Sequence, residues 1–219
     1  MKRLVVLISG QGRNLASLLQ HCAAGNIQAQ VVAVVSNRPD APGLARAEQA
    51  GIATAIVDHR EFASRADFDA ALMQSIDAFA PDALILAGFM RILTPAFVRH
   101  YAGRALNIHP SLLPLYPGIN THAAALAAGD TEHGASVHFL TEQLDGGPII
   151  LQGRLKIAAE DTTLTLAERV MNEVELKIYP QAVAWLASAG LKLESGAVHL
   201  HGQPLRSPKT LADLDEVFL

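Results

Sequence analysis

The sequence predicts an α/β fold: three layers, with a mainly parallel twisted sheet covered by helices on both faces, an antiparallel extension and a small C-terminal hairpin. Three observations carry the prediction. Short, continuously apolar runs recur through the first half of the chain, as expected of strands buried on both faces. Segments of helical periodicity stand between them, which is the alternation of a parallel sheet with crossover helices. Beyond the middle of the chain, two apolar runs are separated only by a short segment containing Leu144-Asp145-Gly146-Gly147, a connection that suits an antiparallel pair.

Taken in order, residues 4–8 form the first strand, and Gly10 and Gly12 turn the chain into a helix over 13–24. Residues 31–35 make a second strand, 42–50 a helix ending at Gly51, and 53–57 a third strand. An amphipathic helix over 65–79 is stopped by Pro81-Asp82, and 83–87 give a fourth strand. A short helix over 95–100 leads to a fifth strand over 105–108. Pro110, Pro114, Pro117 and Gly118 then impose an ordered loop, because prolines and glycine restrict the chain to turns. A small helix over 121–128 and strands over 134–140 and 148–156 follow. A long helix over 164–187, bent near Tyr179-Pro180 where the ring removes a backbone donor, precedes the hairpin. Its runs at 191–193 and 198–200 are punctuated by Ser195-Gly196 and Gly202-Gln203. No repeat or low-complexity linker interrupts the chain, so 1–219 reads as a single domain.

Of the 219 residues, 50% are hydrophobic and 17% charged, enough for one large core. The net charge of -4 offers no basic face for a nucleic acid. The first apolar run is too short for a signal-peptide core or a membrane span. The single cysteine, Cys22, excludes an internal disulfide framework and reads as a small buried hydrophobe. The expectation is a cytoplasmic protein, monomer or homodimer, acting on small molecules without a nucleic-acid or membrane partner.

Ser9-Gly10-Gln11-Gly12-Arg13-Asn14 joins the first strand to the first helix. Backbone N–H groups at such a helix start favour an anion such as phosphate. The dinucleotide fingerprint does not fit: Leu15 stands where a third glycine is needed, and Asn37-Arg38 where an acidic residue should close the second strand. A tight turn without a ligand is the alternative reading of this loop.

Asn107 and His109 stand two residues apart at the end of the fifth strand, hence on one side of it. Strand C-termini of open parallel sheets are where ligands bind. Asp145, in a glycine-flanked turn, is the third polar group assigned to this site. The three suit attack of an amine on a formyl carbon, which creates an oxyanion, a cationic nitrogen and a leaving nitrogen that needs a proton. Asn107 can donate to the oxyanion, His109 can stabilise it and move the proton, and Asp145 can hold a water or the imidazole. The same residues could instead cap a strand and bond backbone groups.

The run from Asn107 to Pro114, followed by His138-Phe139 and by Leu144-Asp145-Gly146-Gly147-Pro148-Ile149-Ile150, resembles the signature of the folate-dependent formyltransferases. Gly12-Arg13-Asn14 and Ala87-Gly88-Phe89-Met90-Arg91-Ile92-Leu93 resemble the branch of that family acting on phosphoribosylglycinamide. The resemblance runs from about residue 3 to 190 and is loose beyond it. It implies a catalytic set of Asn107, His109 and Asp145, and a phosphoribosylglycinamide site of Gly12, Arg13 and Asn14. It also implies a folate site of Arg65, Met90, Arg91, Ile92, Leu93 and Asn107, with 10-formyltetrahydrofolate as cosubstrate and no metal. By it, 1–100 form the phosphoribosyl-binding half, 101–190 the catalytic and folate-binding half, and 191–219 the hairpin and tail. Two departures stand out. Arg13 occupies a position where a small residue is common, and Glu173-Val174-Glu175-Leu176 stands where the family has Glu-His before Tyr-Pro, with an apparent one-residue insertion. Glu175 is the chosen substrate contact.

His109, His122, His133 and His138 lie close in sequence, but no spacing among them forms a compact metal motif. His138 alternates within a strand and reads as structural; His199 and His201 read as partly exposed. Met90 alone would read as core, whereas Arg91 beside an apolar run calls for a carboxylate or carbonyl partner. Two relatives share the motif: a methionyl-tRNA formyltransferase, expected to carry a further tRNA-binding domain, and a formyltetrahydrofolate deformylase, which uses water as acceptor and usually bears an N-terminal regulatory domain. A silent folate- or nucleotide-binding protein is the rival from another class.

Overall fold

Five consecutive residues, Leu4 to Ile8, are fully buried, and they make β1 (Lys2–Ile8) an interior strand. β2 (Ala29–Ser36) pairs with it in parallel on one side and β4 (Ala83–Leu86) on the other. β3 (Ala53–Ile56) lies beyond β2 and β5 (Ala105–His109) beyond β4, again parallel. The computed structural model describes all 219 residues and divides into two compact units; the first comprises residues 1–107 with 140–142.

This first unit carries α1 (Arg13–Ala23), α2 (Pro42–Gln49), α3 (Arg65–Asp77) and α4 (Pro95–His100). Phe68, Leu72 and Ile76 of α3, with Phe97 and Tyr101, join Val5, Leu7, Val35 and Leu84 in one core. Each such side chain contributes about 1.5–3 kcal/mol by leaving water. The third strand differs from its neighbours: Ile56 is 51% exposed, because β3 is a sheet edge.

The second unit comprises residues 108–139 and 143–219. It contains α5 (Thr121–Ala128) and the antiparallel pair β6 (Glu132–Phe139) and β7 (Ile149–Lys156). The strand order of the seven-stranded sheet is β3-β2-β1-β4-β5-β6-β7.

The expected long helix is three pieces. α6 (Thr163–Arg169) runs into a π-helical turn, Val170–Glu175, and then into α7 (Leu176–Ala187). The irregularity therefore lies one to two turns before Tyr179-Pro180, not at that pair. Pro180 cannot donate to the backbone and crowds the carbonyl four residues earlier, and the wide turn just ahead of that carbonyl takes up the misfit. The hairpin of β8 (Leu191–Glu194) and β9 (Ala197–Leu200) gains a third, two-residue strand, β10 (Gln203–Pro204). The tail then returns to β7: Gln152 donates its N–H to the Lys209 carbonyl, and the Lys209 N–H donates to Ile150. No helix is long and apolar enough to cross a membrane.

Candidate active site

In the first unit, β1 ends at Ile8 and the chain turns through Gly10 and Gly12 into α1. Gly12 is the residue before the helix, with φ +69°. A Cβ there would lie 2.9 Å from the Gly43 Cα, so both backbone conformation and close approach require glycine. The Gly43 N–H donates to the Gly10 carbonyl and the Arg46 Nε–H to the Gln11 carbonyl, which fixes the loop from the α2 side. No side chain caps α1, and its first turn holds no acidic residue. That leaves the positive end of the helix dipole for an external anion. Asn14 is buried in this first turn and Arg13 half-buried.

Residues 87–94 leave β4 without regular structure. Phe89 is buried, whereas Met90 is 67% and Ile92 51% exposed. Met90 is thus not core, which corrects the reading its sequence position suggests: the chain leaves the sheet at Gly88, and the side chain projects from an irregular segment. Arg91 is also exposed and Leu93 half-buried. Arg65 is exposed at the start of α3.

The segment is held by groups that the sequence did not single out. The Ser9 N–H donates to the Gly88 carbonyl, and the Ser9 Oγ accepts the Met90 N–H at 2.7 Å while donating to Asn37 Oδ1 at 2.5 Å. Asn37, where an acidic residue would close a dinucleotide site, is instead tied to Ser9 and to His59, whose Nδ1 lies 3.0 Å from the Asn37 carbonyl. At the other end Asp69 accepts the Thr94 N–H at 2.5 Å. These partners lie 25 to 81 residues apart in sequence, so no local pattern announces them.

In the second unit, His109 is buried at the end of β5. Its Nε2 lies 2.8 Å from the Tyr116 carbonyl; a carbonyl only accepts, so this nitrogen carries the proton. Its Nδ1 faces Asp145 Oδ2 at 3.5 Å. The Asp145 carboxylate is nearly inaccessible, accepts the Gly118 N–H at 2.8 Å, and sits on a residue with φ +49°. The left-handed conformation is one that aspartate tolerates better than most residues other than glycine. His138 flanks the same carboxylate: its Nε2 is 3.8 Å from Asp145 Oδ1 and its Nδ1 donates to the Phe139 carbonyl. Burial, partly offset by that carbonyl and by Asp145, lowers its pKa. The alternation that marked His138 as structural also places it beside the turn that carries Asp145.

Gly147 makes this turn possible, since a Cβ there would stand 1.8 Å from the Phe139 oxygen. Nearby, His133 Nε2 lies 3.1 Å from His122 Nδ1. Burial, and then the charges of His133 and His109, push the His122 pKa down to about 4. Glu175 ends the π-helical turn and is buried. Burial, and secondarily the Glu175 charge, push the Tyr179 hydroxyl pKa up.

Asn107 belongs to the first unit and His109 to the second, as successive same-facing residues of β5. The predicted residues therefore fall into two sets. The first unit holds Gly12, Arg13, Asn14, Arg65, Met90, Arg91, Ile92, Leu93 and Asn107; the second holds His109, Asp145 and Glu175. Within the second, His109 and Asp145 face each other.

A formyl transferase family model matches residues 2–183. The phosphoribosylglycinamide formyltransferase of Escherichia coli is 51% identical over 210 residues, covering 96% of this chain and 99% of the relative. That of Haemophilus influenzae is 43% identical over 205 residues, covering 94% and 96%. Among solved structures, the phosphoribosylglycinamide formyltransferase of Coxiella burnetii in complex with CHES superposes with a TM-score of 0.90 at 50% identity, covering 95% of this chain and 98% of that one.

Proposed function

The chain belongs to the formyl transferase family, and from that premise we propose that it transfers the formyl group of 10-formyltetrahydrofolate to the amine of phosphoribosylglycinamide. This is a step of purine synthesis. The observation that carries the chemistry is the buried pair of His109 and Asp145, with the imidazole proton held on Nε2 and Nδ1 turned to the carboxylate.

The amine nitrogen attacks the formyl carbon, the carbonyl becomes an oxyanion, and collapse breaks the bond to N10 of the folate. One proton leaves the amine and one reaches N10, so no net proton is consumed. Asn107 donates its amide N–H to the oxyanion, and His109 Nε2–H turns from the Tyr116 carbonyl to the same oxygen. When Nδ1 also carries a proton it faces Asp145, which holds the ring and a water that passes the proton. The phosphate rests at the Gly12–Arg13–Asn14 helix start, the folate lies along Met90 to Leu93 with Arg65 at its acidic tail, and Glu175 meets the ribosyl part. The reaction is assigned to the cytoplasm, to a chain acting as monomer or homodimer, with no metal.

The test follows deformylated folate by absorbance, with a 10-formylfolate donor, in the presence and absence of phosphoribosylglycinamide. Release that depends on the amine supports the transferase. Equal release without it makes water the acceptor and the protein a deformylase. Donor binding without any release leaves a silent binding protein.

A further inference from the structure

We propose that Ser9 and Asp69 are positioning residues for the folate donor, acting as a clamp on the two ends of the Met90 to Leu93 segment; this rests on the proposed function, in which that segment meets the folate. The segment has no regular structure and a mostly exposed row of side chains. Nothing intrinsic to such a chain makes it rigid. Yet its two ends are fixed by side chains that are themselves nearly inaccessible, Ser9 at 7% and Asp69 at 1% exposure.

Ser9 brackets the first end twice, through its N–H to the Gly88 carbonyl and its Oγ to the Met90 N–H. Its own hydroxyl proton is committed to Asn37 Oδ1, so the Oγ lone pairs are aimed at Met90 and the geometry has little freedom. Asp69 takes the Thr94 N–H at 2.5 Å with one oxygen, and its other oxygen is buried without a hydrogen-bond partner. A carboxylate held this way is costly to the fold. An apolar residue at that helix position would bury without penalty, so the carboxylate is explained by what it holds in place.

The test is kinetic, with a direct titration beside it. In Ser9→Ala, the Met90 N–H and Asn37 Oδ1 lose their partner, and the KM and Kd for 10-formylfolate should rise about tenfold. The turnover number and the KM for phosphoribosylglycinamide should stay within about twofold, since interactions with the transition state are untouched. Ser9→Thr, which restores the hydroxyl, should bring donor affinity back to within about threefold of the wild type; Asp69→Ala, which removes the Thr94 acceptor, should weaken donor binding as Ser9→Ala does, and Asp69→Asn, which keeps an oxygen for Thr94, should stay within about threefold. An unchanged donor KM in Ser9→Ala overturns the clamp, as does a uniform fall of turnover and both affinities, which marks a merely structural role. Wild-type protein that binds 10-formylfolate but does not formylate the amine refutes the proposed function instead, and the Ser9→Ala titration then still decides the clamp.

Discussion

Replacing Gly147 by alanine tests how tightly the Asp145 turn is built. The added Cβ would stand 1.8 Å from the Phe139 oxygen and 3.1 Å from His138 Nδ1, where ordinary contact begins at 3.4 Å. The obstacle is backbone, so the turn or the end of β6 must move by more than an ångström. Two hydrogen bonds lie in the path: His138 Nδ1 to the Phe139 carbonyl, and the Phe139 N–H to the Pro148 carbonyl. Overpacking costs about 1–3 kcal/mol and each weakened hydrogen bond about 0.5–1.5 kcal/mol. A loss of about 2–4 kcal/mol follows, which lowers the urea midpoint by roughly 1 M. Asp145, two residues away, moves with the turn, and an ångström of misplacement costs about a hundredfold in kcat/KM. Gly146→Ala is the internal control, because the three atoms nearest its Cβ belong to the Gln143 side chain and none to the backbone, so it should cost less than Gly147→Ala. Urea titrations and formyl-transfer assays on both variants read the difference. Equal midpoints and equal activities in the two would mean that the Phe139 carbonyl does not confine the Asp145 turn.

Gly12→Ala combines φ +69° with a 2.9 Å approach to Gly43; melting should show a loss of about 1–3 kcal/mol, and the KM for phosphoribosylglycinamide should rise more than that for the donor. For His122, burial holds the folded pKa at about 4 against 6.5 unfolded. The unfolded chain therefore binds more protons between these values, and stability falls as pH drops through that window. His122→Asn should flatten the dependence of the urea midpoint on pH between 6.5 and 4, and an unchanged slope would count against the assignment. Burial also pushes the Cys22 thiol up to about 11, so a thiol reagent at pH 8 should label native protein far more slowly than protein in denaturing urea. Comparable rates would place Cys22 at the surface.

What the sequence made legible is what depends on neighbours along the chain. The apolar run of β1, the glycine turn into α1 and the glycine-rich turn before β7 declare themselves within a few residues, and the structure follows them closely. Asn107 and His109 were legible because strand alternation alone sets them on one side. The exposure of β3 was not, since an edge is defined by the absence of a further strand and not by its own residues. The π-helical turn at Val170–Glu175 keeps the apolar pattern of a continuous helix, so periodicity could place the bend only at Pro180. The return of Lys209 to β7 joins segments far apart, and its residues carry no strand pattern. Ser9, Asn37 and Asp69 are the same kind of omission at the candidate site: a serine, an asparagine and an aspartate look like solvated polar residues until the fold buries Ser9 and Asp69 against main-chain donors and Asn37 against the Ser9 hydroxyl.

Direct transfer to an amine under the control of His109 is the step on which the proposed function rests. A single-turnover reaction with a donor labelled in the formyl carbon, quenched and analysed by mass spectrometry, tests it. Label should appear in N-formylated phosphoribosylglycinamide, one per donor consumed, and the rate should fall about 10²–10⁴-fold in His109→Ala while the donor still binds. Label appearing as free formate at the same rate with or without amine, or undiminished transfer by His109→Ala, would contradict it.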